Sequence, residues 1–267
     1  MLVMPQMLIF GLGYSAGVLA ARLRRPSAVG GWSVRATGRS GDVEFANRDA
    51  VEAALAARSH VLSSVPPAPA AGDPVLAAYG EALAASGAWL GYLSSTGVYG
   101  DTGGAWVDES AQIGQGRRTA RAEADLAWQA LPDARVFRLP GIYGPGRSPL
   151  DRVASGAAHR IDLPQQVFSR VHVEDIASGV IAALAGPPGV YNLADDLPAS
   201  QNAVIAEACR LLGREPPPLL SLAEAKLSPM AAAFYAENRR VANGKAKRLL
   251  GWNPAYPTYV EGLRALA

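Results

Sequence analysis

The chain reads as an α/β protein built on a doubly wound parallel sheet, with a smaller C-terminal lobe. Three observations carry this. Short apolar runs alternate with helical stretches at the spacing of βαβ units. The first run, Leu8-Ile9-Phe10, ends in Gly11-Leu12-Gly13-Tyr14-Ser15-Ala16, where a buried strand turns tightly into a helix. With 267 residues and 49% apolar content, the chain is long enough to bury one large core with a lobe attached.

That glycine turn opens the first unit. Gly11 permits the sharp turn, Gly13 lets a bound group approach the backbone, and Ala16 allows helix and strand to pack closely. Free N–H groups at the helix start, with the helix dipole, favour an anion such as a pyrophosphate. The form Gly-x-Gly-x-x-Ala is a dinucleotide fingerprint, although an ordinary strand–turn–helix can carry the same residues. Val18-Leu19-Ala20 and Leu23 continue the helix, and Pro26 stops it. Trp32 to Thr37 is the second strand and ends in Gly38-Arg39-Ser40. In a dinucleotide fold this end lies beside the adenosine ribose, where an acid takes the 2′-OH of NAD and an Arg accommodates the 2′-phosphate of NADP. Thr37, Arg39 and Ser40 stand there with no acid before Asp42. That points to NADP, with NAD as the other option.

Asn47 to Ala57 reads as a helix and His60 to Val65 as a strand broken by Pro66-Pro67. Ser64 and Val65 therefore fall at a carboxyl end, where open α/β sheets bind ligands. Asp73-Pro74 starts a helix with Pro at its first position, running to about Ala85. Trp89 to Ser94 is a strand ending in the hydroxyls of Ser95 and Thr96, followed by the turn Gly97-Val98-Tyr99-Gly100. Gly116 to Leu131 reads as a helix and Arg135 to Leu139 as a strand, with the loop Pro140-Gly141-Ile142-Tyr143-Gly144-Pro145-Gly146-Arg147 after it. Beyond that loop a helix over Ile176 to Leu184, a strand over Gly189 to Leu193 and a helix over Ser200 to Leu212 precede a short lobe ending near Trp252. The division falls at 1–147 for the dinucleotide-binding part and 148–267 for the substrate lobe, with strands near 168–193 able to rejoin the main sheet.

Composition narrows the partners. The 25 Lys and Arg against 23 Asp and Glu give a net charge of +2, which argues for neither nucleic acid nor an acidic membrane. One cysteine, Cys209, sits in an apolar helical pattern and reads as a buried thiol in a reducing compartment. His60, His159 and His172 lack metal-ligand spacing, so no metal is expected. No run reaches the length of a spanning helix, and the N-terminus has no basic leader, so a cytoplasmic protein is expected.

Five stretches in series resemble the extended short-chain dehydrogenases/reductases, the group of nucleotide-sugar epimerases and dehydratases. They are Gly11-x-Gly13-x-x-Ala16, Ser94-Ser95-Thr96-Gly97-Val98-Tyr99-Gly100, Arg138-Leu139 with Tyr143-Gly144-Pro145-Gly146, Val171-His172-Val173-Glu174-Asp175-Ile176, and Leu250-Gly251-Trp252. The glycine turn is shorter than the family's usual Gly-x-x-Gly-x-x-Gly, which is similar to an atypical subgroup. The resemblance implies a Rossmann domain that binds NAD(P) and transfers hydride to or from a small carbonyl compound or a nucleotide sugar. It places Tyr14, Ser15, Ser64, Val65, Arg121, Pro140 and Ile142 on the cofactor with the glycine turn. It also implies pairing of two helices across a homodimer, and the Ala-rich stretches near 74–86 and 116–131 permit such an approach.

The family chemistry uses a Tyr and a Lys at i and i+4 on one helix face, and a Ser or Thr that bonds the reacting oxygen. Register on Val98-Tyr99-Gly100 gives Ser95 the hydroxyl position, with Thr96 beside it. The helix that should carry Tyr and Lys has neither, and Arg117 and Arg121 fall at their positions. Arg121 can bind the ribose and supply positive charge, but a guanidinium at 117 cannot exchange a proton. Three readings stay open. Tyr99 or Tyr143 serves as a relocated acid, each otherwise a packing tyrosine. Alternatively, hydride transfer needs little acid help while Arg117 binds an anionic substrate. Or the fold keeps the cofactor as an NADP(H)-binding sensor without turnover. Arg147 and Arg170 are the remaining substrate-binding candidates. Arg170 matches the place where relatives hold a phosphate or carboxylate, and an ion pair with Glu174 or Asp175 is its structural alternative.

Overall fold

The computed structural model describes residues 4–26, 31–69, 71–114, 119–227, 232 and 235–267. Six parallel strands form the central sheet: β1 (Gln6–Phe10), β2 (Ser33–Ala36), β3 (His60–Ser63), β4 (Trp89–Ser95), β6 (Ala134–Leu139) and β10 (Gly189–Asn192). Their order is β10-β6-β4-β3-β1-β2. The chain leaves β1 for β2 on one side and returns to β3 on the other. The carboxyl ends of β1 and β3 therefore flank the topological switch point, where such sheets leave a crevice. Outside the sheet, β7 (Gly141–Tyr143) pairs with β9 (Arg170–His172), and β5 (Trp106–Val107) pairs with β12 (Arg240–Val241). A further short pair joins β8 (Arg160–Ile161) and β11 (Leu219–Leu220).

Strand alternation assigns the two cores. Met7 and Ile9 of β1 face one side with Leu62, Phe137 and Tyr191. There α1 (Tyr14–Arg24) and α6 (Val173–Ala183) cover them with Ala16, Leu19, Ile176 and Val180. Leu8 and Phe10 face the other side with Val61, Tyr92 and Val136. That side is covered by α2 (Arg48–Ala56), α3 (Pro74–Ala85) and α4 (Thr119–Gln129). Both faces are buried, so the strands read as continuous apolar runs rather than alternating ones. The lobe has its own core, where α5 (Pro149–Ala154), α7 (Gln201–Leu211) and α9 (Tyr259–Arg264) surround Leu150, Ile205, Leu263 and the fully buried Cys209. Between them α8 (Gly244–Leu250) packs on α6.

The element caps follow the sequence. Asp73 accepts the Val75 and Leu76 N–H groups ahead of Pro74, and Ser148 and Thr258 form capping boxes with Asp151 and Glu261. Asp175 does not cap its own helix. Its carboxylate accepts the N–H groups of Ala255 (2.6 Å) and Tyr256 (3.0 Å), which tie the C-terminal loop to α6. Among the described residues no helix is long and apolar enough to cross a membrane, and no group of three or more His, Cys, Asp or Glu could hold a metal ion.

Candidate active site

A cavity of about 430 Å³ opens at the carboxyl ends of β1, β3, β4 and β6, and the lobe forms its far wall. One end is the glycine turn. Gly11 has φ +82°, and its N–H donates to the Thr37 hydroxyl (3.0 Å) while the Leu12 N–H donates to the Thr37 carbonyl (3.0 Å). Thr37 is 1% exposed, so it shapes the turn from behind. The Ser64 hydroxyl donates to the Gly11 carbonyl, and Val65 packs so close that a Cβ at Gly11 would sit 2.9 Å from its Cγ2. Gly13 differs. Its φ is −85°, and a Cβ there would meet nothing within 4 Å.

Gly13 caps α1 without a side chain, and the first turn holds no acid. The first intrahelical bond is Gly17 N–H to Gly13 (2.7 Å), so the N–H groups of Tyr14, Ser15 and Ala16 have no acceptor among the described residues. Tyr14, Ser15 and Ala16 line the cavity with Gly13, Ser64, Pro140 and Ile142. A tight turn at residues 144–147 is pinned above them. The Tyr14 hydroxyl donates to the Pro145 carbonyl (3.0 Å), and the Arg147 guanidinium lies 5.8 Å from the Tyr14 ring centre. A Cβ at Gly144 would come within 2.6 Å of that hydroxyl, so the contact needs glycine. Arg39 and Ser40 are exposed past β2, outside the cavity lining. Asp42 is turned back: its carboxylate accepts from Ala36 N–H (2.8 Å) and Arg35 (2.9 Å). Partial burial raises the Asp42 pKa, but these bonds outweigh it and hold the carboxyl below its usual range.

The other end gathers Ser95, Thr96, Arg121, Ser169, Glu237 and Arg239. Ser95 caps the 3₁₀ turn Thr96–Tyr99 by accepting the Gly97 N–H (3.1 Å). Arg121 is half-buried on α4 beside the Tyr92 hydroxyl. Arg117 lies outside the described residues. Ser169, Glu237 and Arg239 went unread in the sequence. Arg239 is held by the Gly100 carbonyl and by Glu237 (2.9 Å), a pair whose side chains are 16% and 8% exposed. The only signal was the charged run Glu237-Asn238-Arg239-Arg240 directly before an apolar residue, which resembles any solvated loop.

Three expected site residues face elsewhere. Tyr99 is 2% exposed; its hydroxyl donates to Asn192 (2.8 Å) and accepts from Arg138 (2.9 Å). Burial pushes its pKa up to about 12 against the pull of Arg138. Arg138 in turn grips Asp125 at both oxygens (2.8 and 3.1 Å), and Asp125 also accepts from Ser94 (2.5 Å) and Gln129 (2.6 Å). Tyr143 packs in the lobe core edge-on to His172, and its hydroxyl finds no partner among the described residues. Burial raises the Tyr143 pKa and pushes His172 down to about 4. Arg170 pairs with neither Glu174 nor Asp175. It donates to the Phe168 (2.9 Å) and Ala199 (2.8 Å) carbonyls and to Gln201 (3.1 Å) beneath the cavity wall. Tyr99, Tyr143 and Arg170 do not line the cavity.

No protein-family model matches the chain. A solved structure of a functionally unknown conserved protein from Silicibacter pomeroyi is 43% identical, covers 98% of each chain and superposes with a TM-score of 0.86. The two belong to one family. The human epimerase family protein SDR39U1, solved with NADPH, superposes with a TM-score of 0.74 at 18% identity over 98% of this chain and 99% of its own. The chain has the extended short-chain dehydrogenase/reductase fold. Against that fold's usual pattern its glycine turn is short, and α4 carries no Tyr or Lys. A Streptomyces protein, 3-diazoavenalumate denitrifying reductase, is 30% identical over 157 residues, which are 53% of this chain and 48% of that protein. The chain spans about half the length of the curated relatives it matches.

Proposed function

We propose that the protein binds NADP(H) and transfers hydride between it and a small molecule. The observation that carries this is one cavity holding both the uncapped start of α1 and the hydroxyls of Ser95 and Thr96. The residues fit such a cofactor. Gly13 leaves open space where a side chain would stand, and three N–H groups behind it lack acceptors. Arg147 is held over the same turn, so in this reading it serves the pyrophosphate rather than the substrate. Arg39 and Ser40, exposed beside β2, take the 2′-phosphate. When bound, the reduced cofactor would supply the hydride and the oxidised cofactor would accept it, with the substrate in the opposite role. SDR39U1 was solved with NADPH, as was RMD from Pseudomonas aeruginosa at 16% identity, which agrees with this assignment.

A cavity of about 430 Å³ sits near the lower end of the ~300–1,000 Å³ typical of small-molecule pockets, and the glycine-turn end is committed to the cofactor. In this reading the other end takes the reacting part of the substrate, a small carbonyl compound or a nucleotide sugar. Ser95 accepts a backbone N–H, so its own proton is free to donate to the reacting oxygen. Tyr14 is the one tyrosine lining the cavity among the described residues, and its proton is given to Pro145. The site therefore suits a substrate that accepts hydride without a strong acid beside it. The Streptomyces relative, named as a denitrifying reductase of a diazo compound, agrees with that demand.

The same lack of a catalytic tyrosine favours a second reading, an NADP(H)-responsive binding module without turnover. The two separate on NADPH consumption with a panel of aldehydes, ketones and activated double bonds. Turnover is expected with at least one, slowed about a hundredfold or more in Ser95→Ala, as when an oxyanion donor is removed. Turnover unchanged in Ser95→Ala refutes the site. NADPH binding without turnover on any compound favours the binding module.

A further inference from the structure

The far end of the cavity presents hydrogen-bond donors and positive charge. Among the described residues three arginines line the cavity, Arg121, Arg147 and Arg239, against one carboxylate, Glu237. Glu237 forms an ion pair with Arg239 (2.9 Å). Arg121 forms no ion pair among the described residues, although an acid stands at the i+4 position that would ordinarily take it. That acid, Asp125, is fully buried, where Arg138, Ser94 and Gln129 occupy both its oxygens. The helix thus spends its acid on the core and leaves Arg121 uncompensated beside the cavity.

Two hydroxyls lining the same cavity point the same way chemically. Ser95 accepts the Gly97 N–H (3.1 Å), and Ser169, 6% exposed, accepts the Val241 N–H (2.9 Å). Each has its acceptor role filled by backbone, so what each offers the cavity is a proton. A guanidinium with the Ser169 hydroxyl is matched by a planar oxyanion, which accepts from both, and the Ser95 proton is left over.

We propose that the substrate end of this cavity binds a carboxylate, with Arg121 as its counter-charge. The inference rests on the hydride-transfer reading of the same cavity and narrows it to small organic acids. It also moves Arg121 from the cofactor ribose, where the family resemblance puts it, to the substrate. A carboxylate anchored there is held by charge while the Ser95 proton remains for the reacting oxygen.

The test is calorimetric titration of the protein–NADPH complex with benzoate, cinnamate and hexanoate, each against its methyl ester, and with inorganic phosphate. NADPH is titrated first, so failure of the cofactor reading shows there and not in the acid titrations. At least one acid is expected to bind about tenfold or more tightly than its ester and than phosphate. Arg121→Gln is expected to abolish that preference while leaving NADPH affinity within about twofold, and Arg121→Lys, which keeps the charge, to retain part of it. The proposal is overturned if none of the acids binds, if esters or phosphate bind as well as acids, or if Arg121→Gln weakens NADPH and keeps the acid preference. Should Arg121→Gln fail to fold, loss of the preference in Arg121→Lys overturns it as well.

Discussion

Gly11 and Gly13 sit two residues apart in one turn, yet the structure gives them different work, and Gly13→Ala separates cofactor binding from folding. At Gly13 the backbone is φ −85°, ψ −167°, which any residue adopts, and a methyl group would touch nothing within 4 Å. Losing a glycine from the unfolded chain stabilises by ~0.4–1 kcal/mol. Alanine is a poorer helix cap than glycine, and that loss is roughly the same size, a few tenths to 1 kcal/mol. The two offset, so the unfolding free energy of Gly13→Ala is expected within about 1 kcal/mol of the parent. The methyl group, however, projects into the space before the free N–H groups of Tyr14 to Ala16. NADPH affinity is expected to fall about tenfold or more, equal to roughly 1.4 kcal/mol or more. Gly11→Ala is the internal contrast. At φ +82° it incurs ~1–2 kcal/mol of backbone strain, and its methyl group meets Val65 at 2.9 Å. A stability loss of about 2–3 kcal/mol is expected there. Urea denaturation reads the stabilities, and calorimetric titration reads the affinity. Gly13→Ala binding NADPH as tightly as the parent refutes the turn as a phosphate site. An unfolding loss in Gly13→Ala as large as in Gly11→Ala refutes the division of roles.

Three further outcomes follow from named contacts. Asp125→Ala strands the buried Arg138 charge, which is 2% exposed, and is expected to destabilise by ~3–5 kcal/mol in urea denaturation; a loss under about 1 kcal/mol would mean the pair is not closed in solution. Arg39→Asp is expected to weaken NADPH by ~10–100-fold and NADH much less, read by titration with each; equal losses remove the 2′-phosphate assignment. Asp195 is 2% exposed, neither of its oxygens has a hydrogen-bond partner among the described residues, and burial pushes its pKa up to about 8 against the pull of Arg170. The fold therefore keeps its proton up to about pH 8, whereas the unfolded chain releases it near 4. This contribution is fully present below about pH 4 and is lost as pH rises toward 8, at up to about 1.4 kcal/mol per pH unit. Asp195→Asn is expected to flatten the decline in unfolding free energy between pH 5 and 8, and an unchanged slope contradicts the raised pKa.

Local chemistry made the first half of this fold legible. The apolar run Leu8-Ile9-Phe10, the glycine turn and the Asp73-Pro74 helix start are all set within a few residues, and each stands in the structure where the pattern put it. The far half of the site depends on long-range meeting. Ser169 and Glu237 reach the cavity from segments about 75 and 140 residues beyond Ser95, and no local pattern announces that. Arg170 and Tyr99 were read from motif position, whereas their direction is set by partners far away in sequence, Ala199 and Asn192. One clue was present. Asp125 stands among Ala124 and Trp128 on an apolar helix face, and Arg138 stands in the apolar strand Val136 to Leu139. Two opposite charges in apolar surroundings signal a buried pair, and that pair accounts for both the inward Tyr99 and the uncompensated Arg121.

The most direct measurement is calorimetric titration of the protein with NADPH and, separately, with NADH. Micromolar binding with a clear preference for NADPH is expected from the open start of α1 and the exposed Arg39. Absence of binding to either nucleotide would contradict the assignment of the cavity and leave the glycine turn as a structural element of the fold alone.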